Sequence, residues 1–133
     1  MIVVDTNIII PLHMTSELTG QVLEILQKDP SWCSPPLWQS EFLNVLSGCI
    51  RRNTITHDQA RQILGAALIT MAGGDIPVSP WRVLALTTTS SCTAYDCEFV
   101  ALAQELGVKL VTSDKQILAQ FPETAISPAE FIR

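Results

Sequence analysis

The sequence predicts an α/β fold in which helices cover both faces of a central parallel sheet. Short apolar segments, such as residues 2–4 and 109–112, alternate with longer segments that have apolar residues at helical spacing. This alternation is typical of parallel strands that are buried on both sides. The 133 residues contain no repeat, low-complexity tract or linker, so we expect one domain over residues 1–133.

Two strands and four helices are expected in the first half of the chain. They are a strand at 2–4, a helix from about residue 7, a helix over 16–28, a strand at 32–34, a helix from 36 to about 52, and a helix from 57 to about 73. Pro30 ends the second helix, and Pro36 suits the first turn of the third. Thr56 and Gln59 form a capping-box pattern that predicts the start of the fourth.

Three strands and four helices are expected in the second half. They are a strand at 76–79, a helix from 80, a helix from 93 to 106, a strand at 109–112, a short helix from 114, a strand at 125–126 and a terminal helix from 128. Gly107 follows the helix that begins at Thr93 and suits its C-terminal cap. Pro80 and Pro128 suit the first turns of their helices.

Composition excludes several classes of protein. Hydrophobic residues make up 47% of the chain and charged residues only 16%, which is unlike a disordered protein. No apolar run approaches the ~18 residues of a membrane span, and no secretory signal is recognisable, so we expect a cytoplasmic protein.

The four cysteines form no C-x-x-C pair and lack the spacing of a zinc site; we expect free thiols, with a Cys92–Cys97 disulfide as the less favoured alternative. The net charge of -5 argues against a broad basic surface that binds nucleic acid.

Two aspartates stand where a parallel sheet usually carries its functional site. Asp5 follows the first strand and Asp114 follows the strand at 109–112. Sites in such folds lie beyond the carboxyl ends of the strands, so we expect these two carboxylates to be close together. Each also has a structural explanation, since Asp5 can simply end a strand and Asp114 can cap a helix.

Two further carboxylates lie beside the apolar stripes of predicted helices. Glu41 lies three residues after Trp38 and four before Val45, and Asn44 is its neighbour on the same face. Asp96 lies three residues before Phe99, although it can also be a first-turn acid that favours the helix N-terminus. A half-buried carboxylate costs several kcal/mol unless it is paired or binds a metal.

A shared cation is the simplest partner for these four acids. No basic residue lies within four positions of Asp5 or Asp96. An all-oxygen set of ligands suits Mg²⁺ or Mn²⁺, and such sites act on phosphates. The residues alone therefore predict metal-dependent phosphoryl chemistry and no particular substrate.

The four acids lie, in order, in the segments VVDTN at 3–7, SEFLNVL at 40–46, AYDCEFVALA at 94–103 and LVTSD at 110–114. These segments resemble the acidic motifs of PIN-domain nucleases, and the chain is most similar to VapC-like toxins of toxin–antitoxin pairs. The resemblance covers essentially the whole chain and implies an α/β/α sandwich. It also implies that Asp5, Glu41, Asp96 and Asp114 bind Mg²⁺ or Mn²⁺.

The resemblance further implies an endoribonuclease that leaves a 5′-phosphate and a 3′-hydroxyl. By position, Thr6 or Asn7 and Thr112 would hydrogen-bond the carboxylates, and Asn44 matches an asparagine that often follows the family's glutamate. A cognate antitoxin and a homodimer would be the protein partners. Candidate phosphate contacts are Lys115, Arg51, Arg52 and Arg82, although for each of them a solvated surface charge is the favoured interpretation.

The sequence also leaves room for different functions. A phosphoryl acceptor like the haloacid dehalogenases or receiver domains would use Asp5 as a nucleophile, but the former need a second aspartate where this chain has Asn7. A PIN nuclease with a housekeeping role in RNA processing and a non-catalytic PIN binding module remain open as well. When the four candidate acids are left out, the chain has nine acidic and eight basic residues. Most of the net charge of -5 therefore belongs to the candidate site.

Overall fold

The computed structural model describes residues 1–133, with four strands and eight helices. In chain order they are β1 (Ile2–Val4), α1 (Thr6–His13), α2 (Thr19–Lys28), β2 (Trp32–Cys33), α3 (Leu37–Arg51), α4 (His57–Thr70), α5 (Pro80–Thr88), α6 (Ala94–Leu106), β3 (Leu110–Val111), α7 (Lys115–Gln120), β4 (Ala125–Ile126) and α8 (Pro128–Ile132). No helix is long and apolar enough to cross a membrane.

The strands form one parallel sheet in the order β2-β1-β3-β4. β1 is a central strand, with Val3 opposite Cys33 on one side and Leu110 on the other. The sheet is flanked by helices, which confirms the predicted α/β/α architecture. Because all the strands are parallel, their carboxyl ends lie at the same edge, and the segments that follow β1 and β3 meet there.

The core consists of the sheet and the apolar faces of the helices. Val3, Val4, Leu110 and Val111 are fully buried, as expected for strands covered on both faces. In the middle of α6, the run from Phe99 to Ala103 is completely buried. The four cysteines are buried free thiols, so the prediction of free thiols is confirmed.

The predicted strand at 76–79 is wrong. Asp75 makes a single parallel bridge with Ser34, and the Ile76 N–H donates to the Ser34 carbonyl at 3.0 Å. Pro77 comes next and has no N–H, so the ladder cannot continue. Ser79 then caps α5 by accepting a hydrogen bond from the Arg82 N–H, which ends the extended segment.

Three helix bounds also differ from the prediction. α2 begins at Thr19 and not at residue 16, because Ser16 and Thr19 form a local turn in which the Ser16 N–H donates to the Thr19 hydroxyl. α1 already includes Thr6. α4 ends at Thr70, ahead of the glycine pair, because Gly73 has a φ of 78° and Gly74 folds back to donate to the Met71 carbonyl.

Candidate active site

Four carboxylates from four different elements line one open pocket of about 250 Å³. Asp5 lies directly after β1, Glu41 in the second turn of α3, Asp96 in the first turn of α6, and Asp114 at the start of α7. Asp5 is the most deeply placed, with 7% of its surface exposed. The other side chains that line the pocket are Thr6, Asn7, Ile10 and Val45.

Helix caps hold two of the four acids. The Thr93 hydroxyl accepts a hydrogen bond from the Asp96 N–H at 3.1 Å, which fixes the first turn of α6 and with it the position of Asp96. Asp114 is itself the N-cap of α7, since its Oδ1 accepts from the N–H groups of Gln116 and Ile117 at 2.8 and 3.0 Å. The capping role considered for Asp114 is therefore present, and its Oδ2 has no hydrogen-bond partner.

Hydroxyl groups orient the other two acids. Thr112, which is fully buried, donates from Oγ1 to Asp5 Oδ2 at 2.7 Å. The hydroxyl is the donor in this bond because a carboxylate oxygen only accepts, and Thr112 Oγ1 in turn accepts from the Asp114 N–H at 3.0 Å. Thr6 donates from Oγ1 to Glu41 Oε1 at 2.6 Å, so the start of α1 is joined to α3.

Asn7 links the ends of β1 and β3. Its Nδ2 donates to Asp5 Oδ2 at 3.3 Å and to Thr112 Oγ1 at 3.4 Å. Its Oδ1 accepts from the Ser113 N–H at 3.2 Å. The amide therefore bonds both strand ends and holds the Asp5 carboxylate toward the pocket.

The pocket disfavours the ionised form of its carboxylates. The pKa of Asp5 is raised from 3.8 to about 6, mainly by burial and also by the charges of Glu41 and Asp96, while the Thr112 hydrogen bond opposes the rise. Burial is also the main cause of a raised pKa at Glu41 and at Asp96; repulsion from Asp96 adds to the first and repulsion from Asp114 to the second. The four groups therefore share one electrostatic environment.

The chemistry of these oxygen ligands fits a hard divalent cation, but their spacing does not match that of a metal site. The pocket contains carboxylate, hydroxyl and amide oxygens and no basic side chain. No group of three or more acidic, histidine or cysteine side chains is placed so that it could hold a metal ion. The four expected ligands thus line one pocket, but their carboxylates are too far apart to bind one metal ion together. Mutual repulsion of the carboxylates opposes their moving closer.

Comparison with known proteins decides the family. The sequence profile described as "PIN domain" matches residues 2–123. This chain belongs to the PIN-domain family.

Known relatives agree with this assignment of the PIN domain. The chain is 28% identical to Ribonuclease VapC3 from Pyrobaculum aerophilum over 127 residues, covering 91% of this chain and 95% of that protein. Its fold resembles the crystal structure of PAE2754 from Pyrobaculum aerophilum, with a TM-score of 0.78, 20% identity, and coverage of 98% of this chain and 92% of that one. It also resembles a toxin–antitoxin complex from Klebsiella pneumoniae, with a TM-score of 0.71, 21% identity, and coverage of 96% and 98%.

Five other residues singled out in the sequence lie outside the pocket of this PIN domain. Asn44 is exposed on α3 and does not line the pocket. Arg51 and Arg52 lie ten residues or more beyond Glu41 in sequence, which corresponds to about 15 Å along α3. Arg82 forms an ion pair with Glu105 at 3.3 Å. Lys115 is exposed in the first turn of α7, directly after Asp114.

Two residues that were not among the candidate site residues contribute to this region of the PIN domain. Thr93 fixes the helix that carries Asp96, and the three-residue spacing of a capping pattern was the signal for it. Glu98, two residues after Asp96, is partly buried, and its pKa is raised by burial and by repulsion from Glu41. Its proximity to Glu41 depends on the packing of α6 near α3, which no local pattern predicts.

Proposed function

We propose that this PIN domain is a metal-dependent endoribonuclease and the toxin of a toxin–antitoxin pair. The observation that carries the proposal is the convergence of Asp5, Glu41, Asp96 and Asp114 on one pocket without a basic partner. Asp5 is buried without a cationic side chain beside it, and a bound cation would offset the cost of its negative charge. The name of the relative Ribonuclease VapC3 supports RNA as the substrate.

Asp5 and Asp96 are the proposed primary ligands of Mg²⁺ or Mn²⁺, and Glu41 and Asp114 complete the set directly or through water. When bound, such a cation lowers the pKa of a water molecule and offsets the charge that builds on the phosphate oxygens. Asp114 retains a free Oδ2, because Oδ1 is used in the helix cap. The ligands have to move toward each other for this role, which a divalent charge would favour.

The remaining polar residues would orient the acids and receive the RNA. Thr112 and Asn7 fix the Asp5 carboxylate, and Thr6 fixes Glu41, so that the open oxygens face the pocket. Lys115 is the candidate for a phosphate contact beside Asp114, because the other three basic candidates lie far from the pocket or are already paired. Hydrolysis would leave a 5′-phosphate and a 3′-hydroxyl, and an antitoxin could block the pocket with an arginine placed among the carboxylates.

The toxin assignment is supported by the similarity to a toxin–antitoxin complex from Klebsiella pneumoniae. A cognate antitoxin and a homodimer are therefore part of the proposal. A housekeeping PIN nuclease is the alternative within the same chemistry. A short neighbouring gene for a DNA-binding antitoxin, whose product neutralises this protein in a growing cell, would favour the toxin.

The deciding experiment is cleavage of an RNA pool with added Mg²⁺ or Mn²⁺, compared with EDTA. We expect metal-dependent cutting by the native protein and none by Asp5→Ala or Asp96→Ala. Glu24→Gln is the matched control, because Glu24 is an exposed acid on α2 without an ion pair. Absence of metal-dependent cutting by the native protein would disprove the nuclease and leave a binding module. Cutting by both aspartate variants at the native rate would disprove the proposed mechanism.

A further inference from the structure

A second pocket, of about 290 Å³, lies between the beginnings of α5 and α6, and we call it the α5–α6 pocket. Its walls are mostly apolar, and a single carboxylate, that of Glu98, enters it. The residues that line it are Val78, Pro80, Val83, Leu84, Ala94 and Glu98. A mostly apolar cavity with one polar group is typical of a site that binds a small organic group.

The α5–α6 pocket adjoins the four-carboxylate pocket. Ala94 and Glu98 are one helical turn apart on the same face of α6, and Asp96 lies between them in sequence but faces the other pocket. Two residues of helix correspond to about 3 Å along the axis, so a ligand could reach both pockets.

The Glu98 carboxylate has no protein partner. It takes part in no ion pair, and neither a hydrogen bond nor a cation offsets its burial. Arg82, the basic residue of α5, is occupied by Glu105. A half-buried carboxylate without a protein partner, next to apolar side chains, is suited to a ligand that carries hydrogen-bond donors.

Both exposed aromatic residues of the protein adjoin this pocket in sequence. Trp81 is 80% exposed and follows Pro80, and Tyr95 is 63% exposed and follows Ala94. The large aromatic rings elsewhere, such as Trp38, Phe42 and Phe99, are buried in the core. Exposed aromatic rings next to a nucleic-acid path commonly stack on unpaired bases.

We propose that the α5–α6 pocket receives a base of the RNA substrate next to the phosphate that is cut, and that Glu98 selects guanine there. This inference rests on the proposed ribonuclease function and adds its base specificity. The apolar walls contact the faces of the base, and both oxygens of the Glu98 carboxylate accept hydrogen bonds from its edge.

Guanine is the base that matches a carboxylate. Its N1–H and its N2 amino group are adjacent donors on the Watson–Crick edge and can meet the two carboxylate oxygens together. Adenine and cytosine present a ring nitrogen acceptor beside their amino group, and uracil presents one N–H between two carbonyl oxygens. A carboxylate, which only accepts, is repelled by each of those acceptors.

The first test compares cleavage of short single-stranded RNAs that contain one guanosine, inosine or adenosine in an otherwise constant sequence. Inosine keeps N1–H but lacks the N2 amino group. We expect the native protein to cut beside guanosine about tenfold faster than beside inosine, as for a bidentate base contact. In Glu98→Gln this ratio should fall close to one, while Glu24→Gln, which alters an exposed acid elsewhere, should keep it.

The second test does not depend on turnover. The native protein is irradiated with an RNA that carries one 6-thioguanosine, which retains the N1 and N2 donors, and the crosslinked peptides are mapped. We expect crosslinks within residues 78–84 and 94–98, and fewer of them in Glu98→Gln at unchanged melting temperature.

The outcomes separate the two proposals. Cleavage without base preference, a guanosine-to-inosine ratio that survives in Glu98→Gln, or crosslinks that map elsewhere would overturn the guanine site and leave the nuclease. Crosslinks in the α5–α6 pocket without any cleavage would support the guanine site and disprove the nuclease.

Discussion

Thr112 Oγ1 donates a hydrogen bond to Asp5 Oδ2 at 2.7 Å and so joins the ends of β3 and β1 beneath the acidic pocket. The same oxygen accepts a hydrogen bond from the Asp114 N–H, so the hydroxyl also contacts the residue that caps α7. The bond opposes the rise in the pKa of Asp5 that burial causes. One buried hydroxyl therefore controls both the position and the ionisation of the deepest carboxylate.

Thr112→Val should weaken both stability and activity. The isosteric change removes the donor to Asp5 and the acceptor for the Asp114 N–H, at a cost of about 1–3 kcal/mol in the free energy of unfolding. The acid limb of the pH–rate profile should also move to higher pH, because Asp5 loses the bond that lowers its pKa. Thr112→Ser, which keeps the hydroxyl, is the control. A pH profile that does not differ between the two variants would contradict this role.

The metal-free protein should become more stable as the pH falls from 7.5 to 5. The pKa of Asp5 is raised from 3.8 to about 6 in the fold, so its contribution is fully present below 3.8 and is lost as the pH rises through 6. The pKa values of Glu41, Asp96 and Glu98 shift in the same direction, whereas that of His13 is lowered by burial and opposes the trend. Asp5 alone accounts for about 1 kcal/mol over this range, or roughly 3–5 °C in melting temperature. Thermal melts in EDTA measure it, and a flat or opposite trend would refute the expected ionisation.

Asp5→Asn should raise the stability of the metal-free protein at pH 7.5 and abolish cleavage. The amide keeps an acceptor for Thr112 but removes a buried negative charge that Glu41 and Asp96 repel. Millimolar Mg²⁺ should raise the melting temperature of the native protein, because a ligand that binds only the folded state stabilises it, and should do so far less in the variant. Equal metal-induced shifts in both proteins would remove Asp5 from the ligand set.

Thr93→Ala should lower activity more than its effect on stability explains. Thr93 caps the helix that carries Asp96, and loss of such a cap costs about 1 kcal/mol. Thr56→Ala is the matched control, because it removes an equivalent threonine cap from α4, which contributes no residue to the acidic pocket. We expect similar losses of stability by chemical denaturation, with reduced cleavage only in Thr93→Ala. Parallel changes in both variants would assign Thr93 a purely structural role.

Gly74→Ala should destabilise the fold, whereas Gly65→Ala should not. A Cβ at position 74 would lie 2.4 Å from the Trp32 carbonyl oxygen, so the segment would have to move away from β2, at a cost of about 1–3 kcal/mol. A Cβ at position 65, inside α4, meets nothing within 4 Å and should stabilise the helix by about 0.5–1 kcal/mol. Urea denaturation of both variants tests this contrast, which equal stabilities would contradict.

The parts of the fold that follow from local pattern were predictable from the sequence. The buried strand at Ile2–Val4, the capped helix at Thr56 and the helix that ends at Gly107 each have a short-range cause. The extended segment after Gly74 was mistaken for a strand because Ile76 and Val78 are apolar, although Pro77 between them prevents the ladder. The apolar character of this segment gave no indication that the N–H needed at position 77 is absent.

The sequence predicted the acidic pocket to the extent that strand ends and helix faces determine where side chains lie. Asp5 and Asp114 follow parallel strands, and Glu41 and Asp96 lie beside buried stripes, so a common location could be expected. Asn44 was placed beside Glu41 on helical spacing alone, yet its side chain is exposed, because the face of α3 that meets α1 turns it outward. The position of Glu98 depends on packing between helices, and local spacing carries no information about that.

Asp5 and Thr112, which the fold brings into contact, are 107 residues apart in sequence. During synthesis, β1 leaves the ribosome long before β3 exists to pair with it, and Asp5 then has neither its neighbouring strand nor its hydroxyl partner. The acidic pocket can form only after almost the whole chain has emerged. The order of translation therefore means that an unfinished chain does not yet carry the assembled pocket.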